Sequence, residues 1–230
     1  MLTPIQIKGL SELQQGFKKI FLRDIDLGET YVMAKRYKDI ERIADRSQYI
    51  EAIFNEAKNN FGFRGSKIQL SLETPERLGV RVNGAADNAF LSLKLRRNLE
   101  REKVAGTIHH EFRHFLQDFF AFNQSPQEYM KAVNKKIEIM TQGKVKDAWK
   151  DLDKFKRWLS ENLGISNPSA ENLPSGHRLF TMRCLRGTKN YIPADQNYRA
   201  YRSNFLEQDA YETQDRIQIL LDTINKGIVV

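Results

Sequence analysis

The chain has 230 residues, a formal net charge of +8 at pH 7 and one cysteine. Hydrophobic residues make up 40% and charged residues 29% of it, which is typical of a globular protein and excludes a disordered chain. The single cysteine excludes an internal disulfide framework, so a reducing compartment such as the cytoplasm is the expected location. We expect one domain, because this length is enough to bury one sizeable core.

The charge and the hydropathy pattern also bear on partners. The first residues lack the basic and then apolar run of a signal peptide, and no window approaches the ~18 apolar residues of a membrane span, so we expect no membrane association. The densest basic run, residues 94–103, includes two glutamates and is interpreted as a solvated helix start. Nucleic-acid binding is a possibility that no zinc-finger or RNP signature supports, and nothing indicates the oligomeric state.

Helical periodicity dominates the first part of the chain. Residues 10–21 and residues 35–61 each repeat apolar side chains at helical spacing. Gly62 and Gly65 follow the second segment as stop signals. The pattern predicts two helices in this region, the second of them long.

The pattern then changes from helical spacing to alternation. Apolar and polar residues alternate in residues 67–72, 78–82 and 89–94. Turn-forming residues at 74–76 and 83–84 separate these runs. We expect three short strands in a small, mainly antiparallel sheet.

An HExxH motif follows the third predicted strand, at residues 110–114. It lies in an apolar-periodic segment, residues 98–120, and therefore on a helix. His110 and His114 are four residues apart, which places them on one face with Cβ atoms about 5–6 Å apart. Both imidazoles can then bind one zinc ion, while Glu111 stands beside it to take a proton from water.

More helices are expected after the motif. The motif helix itself should begin at Asn98, a favourable N-cap. Residues 126–141 and 146–163 predict two helices, and residues 204–225 predict a final one. Residues 164–176 are interpreted as a long surface loop or lid rather than a linker.

A catalytic zinc ion needs a third protein ligand. The metzincin pattern requires Gly and His where this chain has Gln117 and Phe120, and the SprT-like pattern requires His where it has Phe119. The remaining common arrangement takes a glutamate from a second helix. Glu207 is the best candidate, because Ala210 lies on nearly the same face and is small enough to let the two helices approach closely.

The HExxH motif together with the Asn-x-x-Glu-x-x-Ala-Tyr sequence at residues 204–211 resembles the gluzincin group of zinc metallopeptidases. Its small bacterial and phage-encoded members look similar. The resemblance implies an α+β, zincin-like fold that is mostly helical, with a small, mainly antiparallel sheet before the motif helix. It also implies that His110, His114 and Glu207 bind Zn²⁺ and that Glu111 is the general base.

Several alternatives stay open at the site. Glu212, Asp209 and His177 compete with Glu207 as the third ligand, although His177 is expected in a loop. Asp209 and Glu212 are also candidates for orienting a histidine, because the thermolysin-like pattern has Asp where this chain has Tyr211. Tyr201 is the candidate donor to the oxyanion that develops during hydrolysis. The neighbouring His109 points about 100° away from the motif face, and we expect no ligand role for it.

The resemblance implies hydrolysis of peptide bonds in a protein or peptide substrate. The strand at residues 89–94 is then expected to be the sheet edge on which an extended peptide pairs. The long separation between the two motifs implies a helical insertion at about residues 121–176 within a single domain that spans residues 1–230. The alternative is an inactive zincin-like module with a structural or interaction role, for example in a phage particle or a toxin.

Overall fold

The computed structural model describes residues 4–78, 83–87, 91–163, 177–194 and 196–227. In these residues the protein is mostly helical with one three-stranded sheet, an α+β architecture as expected. The elements in chain order are α1 (Pro4–Phe21), α2 (Leu27–Glu41), α3 (Arg46–Asn60), β1 (Gln69–Glu73), α4 (Pro75–Leu78), β2 (Gly84–Asp87), β3 (Ser92–Arg96), α5 (Arg101–Gln124), α6 (Pro126–Met140), α7 (Leu152–Leu163), α8 (His177–Lys189), α9 (Tyr198–Ser203) and α10 (Phe205–Asn225).

The sheet has the order β1-β3-β2. Strand β1 pairs with β3 in parallel, whereas β2 pairs with β3 antiparallel, with Ala86 opposite Leu93. The sheet is therefore mixed, and the prediction of a mainly antiparallel sheet was wrong. The chain passes through α4 and β2 between the two parallel strands, so β3 returns in the direction of β1. Strand β3 lies between β1 and β2 and is therefore the central strand of the sheet. The prediction that residues 89–94 form a sheet edge was also wrong, and β2 is the edge strand next to β3.

The strand boundaries differ from the alternation pattern in two places. Gly84 was expected in a turn but begins β2, and Pro75 was expected in a turn but begins the short helix α4. Proline is favoured there because the first residue of a helix needs no N–H donor. Of the predicted strand at residues 78–82, Leu78 ends α4 and the rest lies outside the described residues, as do residues 88–90.

The segment predicted as one helix over residues 35–61 consists of α2 and α3. Asp45 caps α3, since its carboxylate accepts the backbone N–H of Gln48. Apolar side chains continue at helical spacing across the break, so periodicity alone did not indicate it. Helix α3 ends where the glycine signal predicted, and Gly62 adopts a positive φ of 83° that glycine tolerates best.

The later helices agree with the sequence pattern in number and place except for α8 and the short α9, and some of their boundaries shift: α7 starts at Leu152 rather than at residue 146, and α5 runs to Gln124 rather than to residue 120. Helix α5 has Glu100, not Asn98, at its N-cap position and no side-chain capping bond. Helix α8 was missed, and His177, expected in a loop, is its first residue. Helix α10 begins where predicted, because the side chain of Asn204 accepts the backbone N–H of Leu206. The predicted loop at residues 164–176 lies outside the described residues.

Helix α5 occupies the centre of the molecule. Its buried residues run from Val104 to Ala121, and α3, α6, α8 and α10 pack against it. Phe112 packs among aromatic rings from α3 and the segment after it, including Phe61 and Phe63. None of the described helices combines the length and the apolar composition that crossing a bilayer requires.

Helices α5 and α10 approach each other closely through small residues. A Cβ atom added to Gly106 of α5 would lie 2.9 Å from Cγ of Gln214 in α10. On α10, Ala210 is fully buried, as its size suggested. Gly187 of α8 plays the same part at the start of α10, because a Cβ there would lie 2.7 Å from Cγ of Leu206. This packing holds the first turn of α10 against the HExxH face of α5.

Candidate metal centre

Two turns of α5 and the first turn of α10 bring His110, His114 and Glu207 together. Nε2 of His114 lies 3.2 Å from Nε2 of His110 and 3.5 Å from Oε1 of Glu207. Nε2 of His110 lies 3.6 Å from Oε2 of the same carboxylate. One donor atom from each residue lies within 4.8 Å of the other two, and the three side chains are buried or nearly so. These three donors form a three-donor pocket in the interior of the protein.

The spacing and the hydrogen bonding of these donors fit a zinc ion. Ligands about 2.0–2.1 Å from a tetrahedral zinc ion lie roughly 3.4 Å apart, close to the separations measured here. Oε2 of Glu207 is buried and has no hydrogen-bond partner in the described part of the chain. An unpartnered buried carboxylate oxygen is costly unless a cation meets it. Two imidazoles and one carboxylate are also the donor set of many catalytic zinc sites.

Electrostatics at this pocket favour positive charge. Burial alone would lower the pKa of His114, but the Glu207 carboxylate outweighs it and the pKa rises to about 9. Burial pushes the pKa of Glu207 up, whereas the charge of His114 and the nearby imidazoles and Tyr201 hydroxyl bring it well below the usual carboxyl range. The carboxylate is therefore ionised and attracts either a proton on the imidazoles or a metal cation.

A neutral amide orients one of the two histidines. Nδ1 of His114 lies 2.9 Å from Oε1 of Gln117, which turns Nε2 towards Glu207. The amide nitrogen of Gln117 donates to the carbonyl of Leu206 at 2.9 Å and to Oδ2 of Asp209 at 2.7 Å. Arg113 holds Asp209 by two hydrogen bonds of 2.6 and 2.7 Å. The sequence had suggested Asp209 as a direct partner of a histidine, whereas it acts through Gln117.

Glu111 lies beside the three-donor pocket, wedged between α5 and the edge strand β2. It is 5% exposed, and the backbone N–H of Ala86 donates to its carboxylate. Burial raises the pKa of Glu111, and the two motif histidines oppose this rise. Gly84 makes room for it, since a Cβ there would lie 3.0 Å from Oε1 of Glu111. A carboxyl group in this position can take a proton from a water molecule beside the donors and release it again.

Two tyrosines complete the wall around the donors. The hydroxyl of Tyr201 donates to Glu207, and burial followed by the charge of Glu207 raises its pKa, so the phenol stays protonated. The ring of Tyr211 packs edge-on against His110, with ring centroids 4.5 Å apart. The guanidinium of Arg202 lies over the ring of Tyr211, 3.6 Å from its centroid. Tyr201 thus lies at the predicted site, in contact with a predicted ligand.

The structure separates the competing candidates from the donors. Glu212 is exposed and pairs with Arg216 one turn along α10. Asp209 is fully engaged by Arg113 and Gln117. The side chain of His177 lies outside the described residues. His109 is buried on the opposite side of α5, where Nδ1 bonds to the carbonyl of Ala105 and Nε2 to the hydroxyl of Tyr37, as its expected orientation required.

A cavity of about 490 Å³ opens onto these groups. Its wall includes Glu111, His114, Tyr201 and Glu207 on one part, and Asp118, Lys136 and Tyr191 on another. The sequence pattern indicated the first group but not Asp118 or Lys136, since a lysine on an amphipathic helix resembles any solvated charge. The cavity is large enough for a few side chains of an extended peptide.

Comparison of the chain with protein-family models, with curated protein sequences and with solved structures produced no match. What the protein does is therefore inferred from the chemistry of its own residues.

Proposed function

We propose that this protein is a zinc-dependent metallopeptidase of the gluzincin type, with a zincin-like fold. The observation that carries the proposal is the convergence of His110, His114 and Glu207, at separations that suit one tetrahedral ion, beside a buried Glu111 in one cavity. In this proposal the first three residues bind Zn²⁺. A protein or peptide is the substrate, because the cavity is open and, among the described strands, β2 is an edge of the sheet on which an extended peptide could pair.

Each group has a defined chemical task in the proposed reaction. Zinc, when bound, is a Lewis acid that lowers the pKa of water and polarises a carbonyl group. Glu111 takes the proton of the attacking water and delivers it to the leaving amine, which its raised pKa favours. Ala86 holds the carboxylate of Glu111 in place through its backbone N–H. Gln117 keeps His114 turned towards the other donors.

Tyr201 and strand β2 supply substrate contacts in this proposal. The hydroxyl of Tyr201 donates its single proton to Glu207 in this structure, and in the proposal it turns to donate to the oxygen that becomes negative as the peptide carbonyl is attacked. Strand β2 replaces the strand expected from the sequence as the pairing edge, because β3 is flanked on both sides. An extended peptide along β2 would pass directly beside Glu111.

Metal analysis of purified variants combined with peptide hydrolysis tests the proposal. We expect about one zinc ion per chain in the wild-type protein and in Glu111→Gln, but little in Glu207→Ala. Glu111→Gln should lower the rate of hydrolysis by at least about a hundredfold, since it removes the general base while keeping the metal donors. Glu212→Ala is the matched control on the same helix, and it should keep both metal and activity.

Different failures have different meanings. Zinc that survives Glu207→Ala would exclude Glu207 as a ligand. Unchanged hydrolysis by Glu111→Gln would contradict the mechanism. Zinc bound without hydrolysis of any peptide would favour the alternative of an inactive zincin-like module.

A further inference from the structure

A lysine lines the same cavity as the proposed metal donors. Lys136 of α6 and Asp118 of α5 both face this space, and Asp118 lies one helical turn after His114, about 6 Å along the helix axis. The Lys136 ammonium sits 4.7 Å from the centroid of the Tyr191 ring. Contact with an aromatic face stabilises a cation and holds it in a definite place. Lys136 is therefore a positioned charge on the cavity wall.

Lys136 can bind a further anion, because the nearest acidic side chain attracts it only from a distance. The carboxylate of Asp118 accepts a hydrogen bond from Tyr129 and attracts Lys136 from a distance. Within the described part of the chain, no carboxylate lies within 4.0 Å of the Lys136 ammonium. An ammonium has three N–H donors, more than one contact with a ring face can engage. Asp118, in contrast, already has a hydrogen-bonded partner.

We propose that Lys136 binds a carboxylate group of the substrate and so gives the cavity a preference for acidic peptides. This inference builds on the proposed peptidase function and names its substrate class. Ile139, Pro193 and Ala194 line the cavity as well, and their apolar surface strengthens an ion pair by keeping water away. The carboxylate comes either from an aspartate or glutamate side chain or from the C-terminus of the peptide.

Equilibrium binding to the Glu111→Gln variant tests this preference without turnover. Three fluorescent peptides of equal length are compared by anisotropy: one with an internal glutamate and an amidated end, one with glutamine and an amidated end, and one with glutamine and a free C-terminus. We expect at least one carboxylate peptide to bind roughly tenfold more tightly than the neutral one. Whichever peptide gains affinity identifies the source of the carboxylate.

Substitutions in the Glu111→Gln background assign the effect to one side chain. Lys136→Met should remove the preference and leave binding of the neutral peptide unchanged, whereas Lys136→Arg should retain it. Lys135→Met is the matched control, because Lys135 is the exposed neighbour on the same helix. Thermal unfolding of each variant checks that the fold is kept, and Lys136→Arg still reports if Lys136→Met fails to fold.

Several results would overturn the inference. These are equal binding of the three peptides, no binding of any of them at millimolar concentration, or a preference that persists in Lys136→Met. A fourth peptide, with lysine in place of the internal glutamate, completes the set, and if it binds more tightly than the neutral peptide the subsite belongs to Asp118 and the inference is overturned. Because binding is measured without hydrolysis, a protein that lacks zinc but keeps the Lys136-dependent preference would refute the peptidase proposal alone.

Discussion

Gln117 connects the orientation of His114 to the position of helix α10. Its carbonyl oxygen faces Nδ1 of His114, and its amide nitrogen bonds to Leu206 and Asp209 of α10. Leu206 directly precedes Glu207, so one amide sets the positions of two proposed zinc ligands. A neutral partner leaves His114 less basic than a carboxylate partner would.

Replacing Gln117 should weaken metal binding more than it weakens the fold. We expect Gln117→Leu to lower zinc affinity by about 10–100-fold, because His114 then loses the partner that orients it. Competition with a chromogenic chelator measures this affinity. Gln208→Leu, at an exposed position of α10, should leave it unchanged. Equal affinities in wild-type protein and Gln117→Leu would show that His114 needs no such partner.

A second series of hydrogen-bonded polar side chains lies against the motif helix, on the side away from the proposed metal donors. Glu56 accepts from Asn60, which donates in turn to the hydroxyl of Tyr37, and that hydroxyl bonds to His109. Glu56 is 6% exposed. Burial raises its pKa above 4.5, although Arg36 and Asn60 oppose the rise.

Because its pKa is raised, Glu56 lowers the stability of the folded protein once it ionises at higher pH. The folded carboxyl holds its proton more tightly than the unfolded one, so its contribution to stability is complete below the unfolded pKa and declines as pH rises through the folded value. We therefore expect Glu56→Gln to improve in stability relative to wild type between pH 4.5 and pH 8. Urea unfolding across this range, with the exposed Glu51→Gln as control, measures it. A relative loss at high pH would contradict the expectation.

At the scale of elements, strand β2 presses against the motif helix. A Cβ on Gly84 would lie 2.7 Å from Cγ2 of Thr107 and 3.0 Å from Oε1 of Glu111, distances too short for normal packing. The proposed zinc ligands lie on α5 and α10 and do not contact this strand through Gly84. The edge strand therefore positions the proposed base independently of the proposed metal donors.

Gly84→Ala should separate catalysis from metal binding. The added methyl group displaces Glu111 or the strand, and a displacement of about 1 Å can cost on the order of a hundredfold in rate. Overpacking should also cost about 1–3 kcal/mol of stability. Zinc content should stay at the wild-type level, which metal analysis alongside peptide hydrolysis can verify. Loss of zinc together with activity would mean that β2 supports the whole site rather than Glu111 alone.

Elements were predictable where one strong local signal sets a boundary. Asn204 caps α10 as expected, because its side-chain bond to Leu206 is local in sequence. The break between α2 and α3 was missed, since apolar periodicity continues across it and the Asp45 cap is a weaker signal than the pattern it interrupts. Central and edge positions in the sheet depend on strand order, which alternation does not encode.

The residues of the candidate site also divide into those that the sequence could predict and those that it could not. His110, Glu111 and His114 are recognisable together because they share one helix face, and Glu207 was a candidate through its small neighbour Ala210. Gln117 entered the sequence argument only as a residue that excludes one class of zinc site. Its role depends on contacts with a helix far along the chain, and so could not be inferred from spacing.

At the scale of the whole molecule, the proposed ion joins the motif helix to α10. Ligands that bind only the folded state stabilise it, by about 2.7 kcal/mol when their free concentration is a hundred times Kd. For a chain of this size we expect zinc to raise Tm by roughly 5–10 °C over the EDTA-treated protein. Calorimetry should detect this rise in wild type and in Glu212→Ala, but not in Glu207→Ala. An equal rise in Glu207→Ala would place the ion elsewhere.

The distance in sequence between α5 and α10 has a consequence for the timing of activity in the cell. A ribosome delivers the motif helix long before it delivers Glu207, and N-terminal segments begin to fold first. The nascent chain therefore exposes His110, His114 and the proposed base Glu111 before the third proposed ligand has been made. The proposed peptidase therefore becomes active only when α10 docks, and during synthesis the unfinished chain cleaves neither itself nor neighbouring proteins.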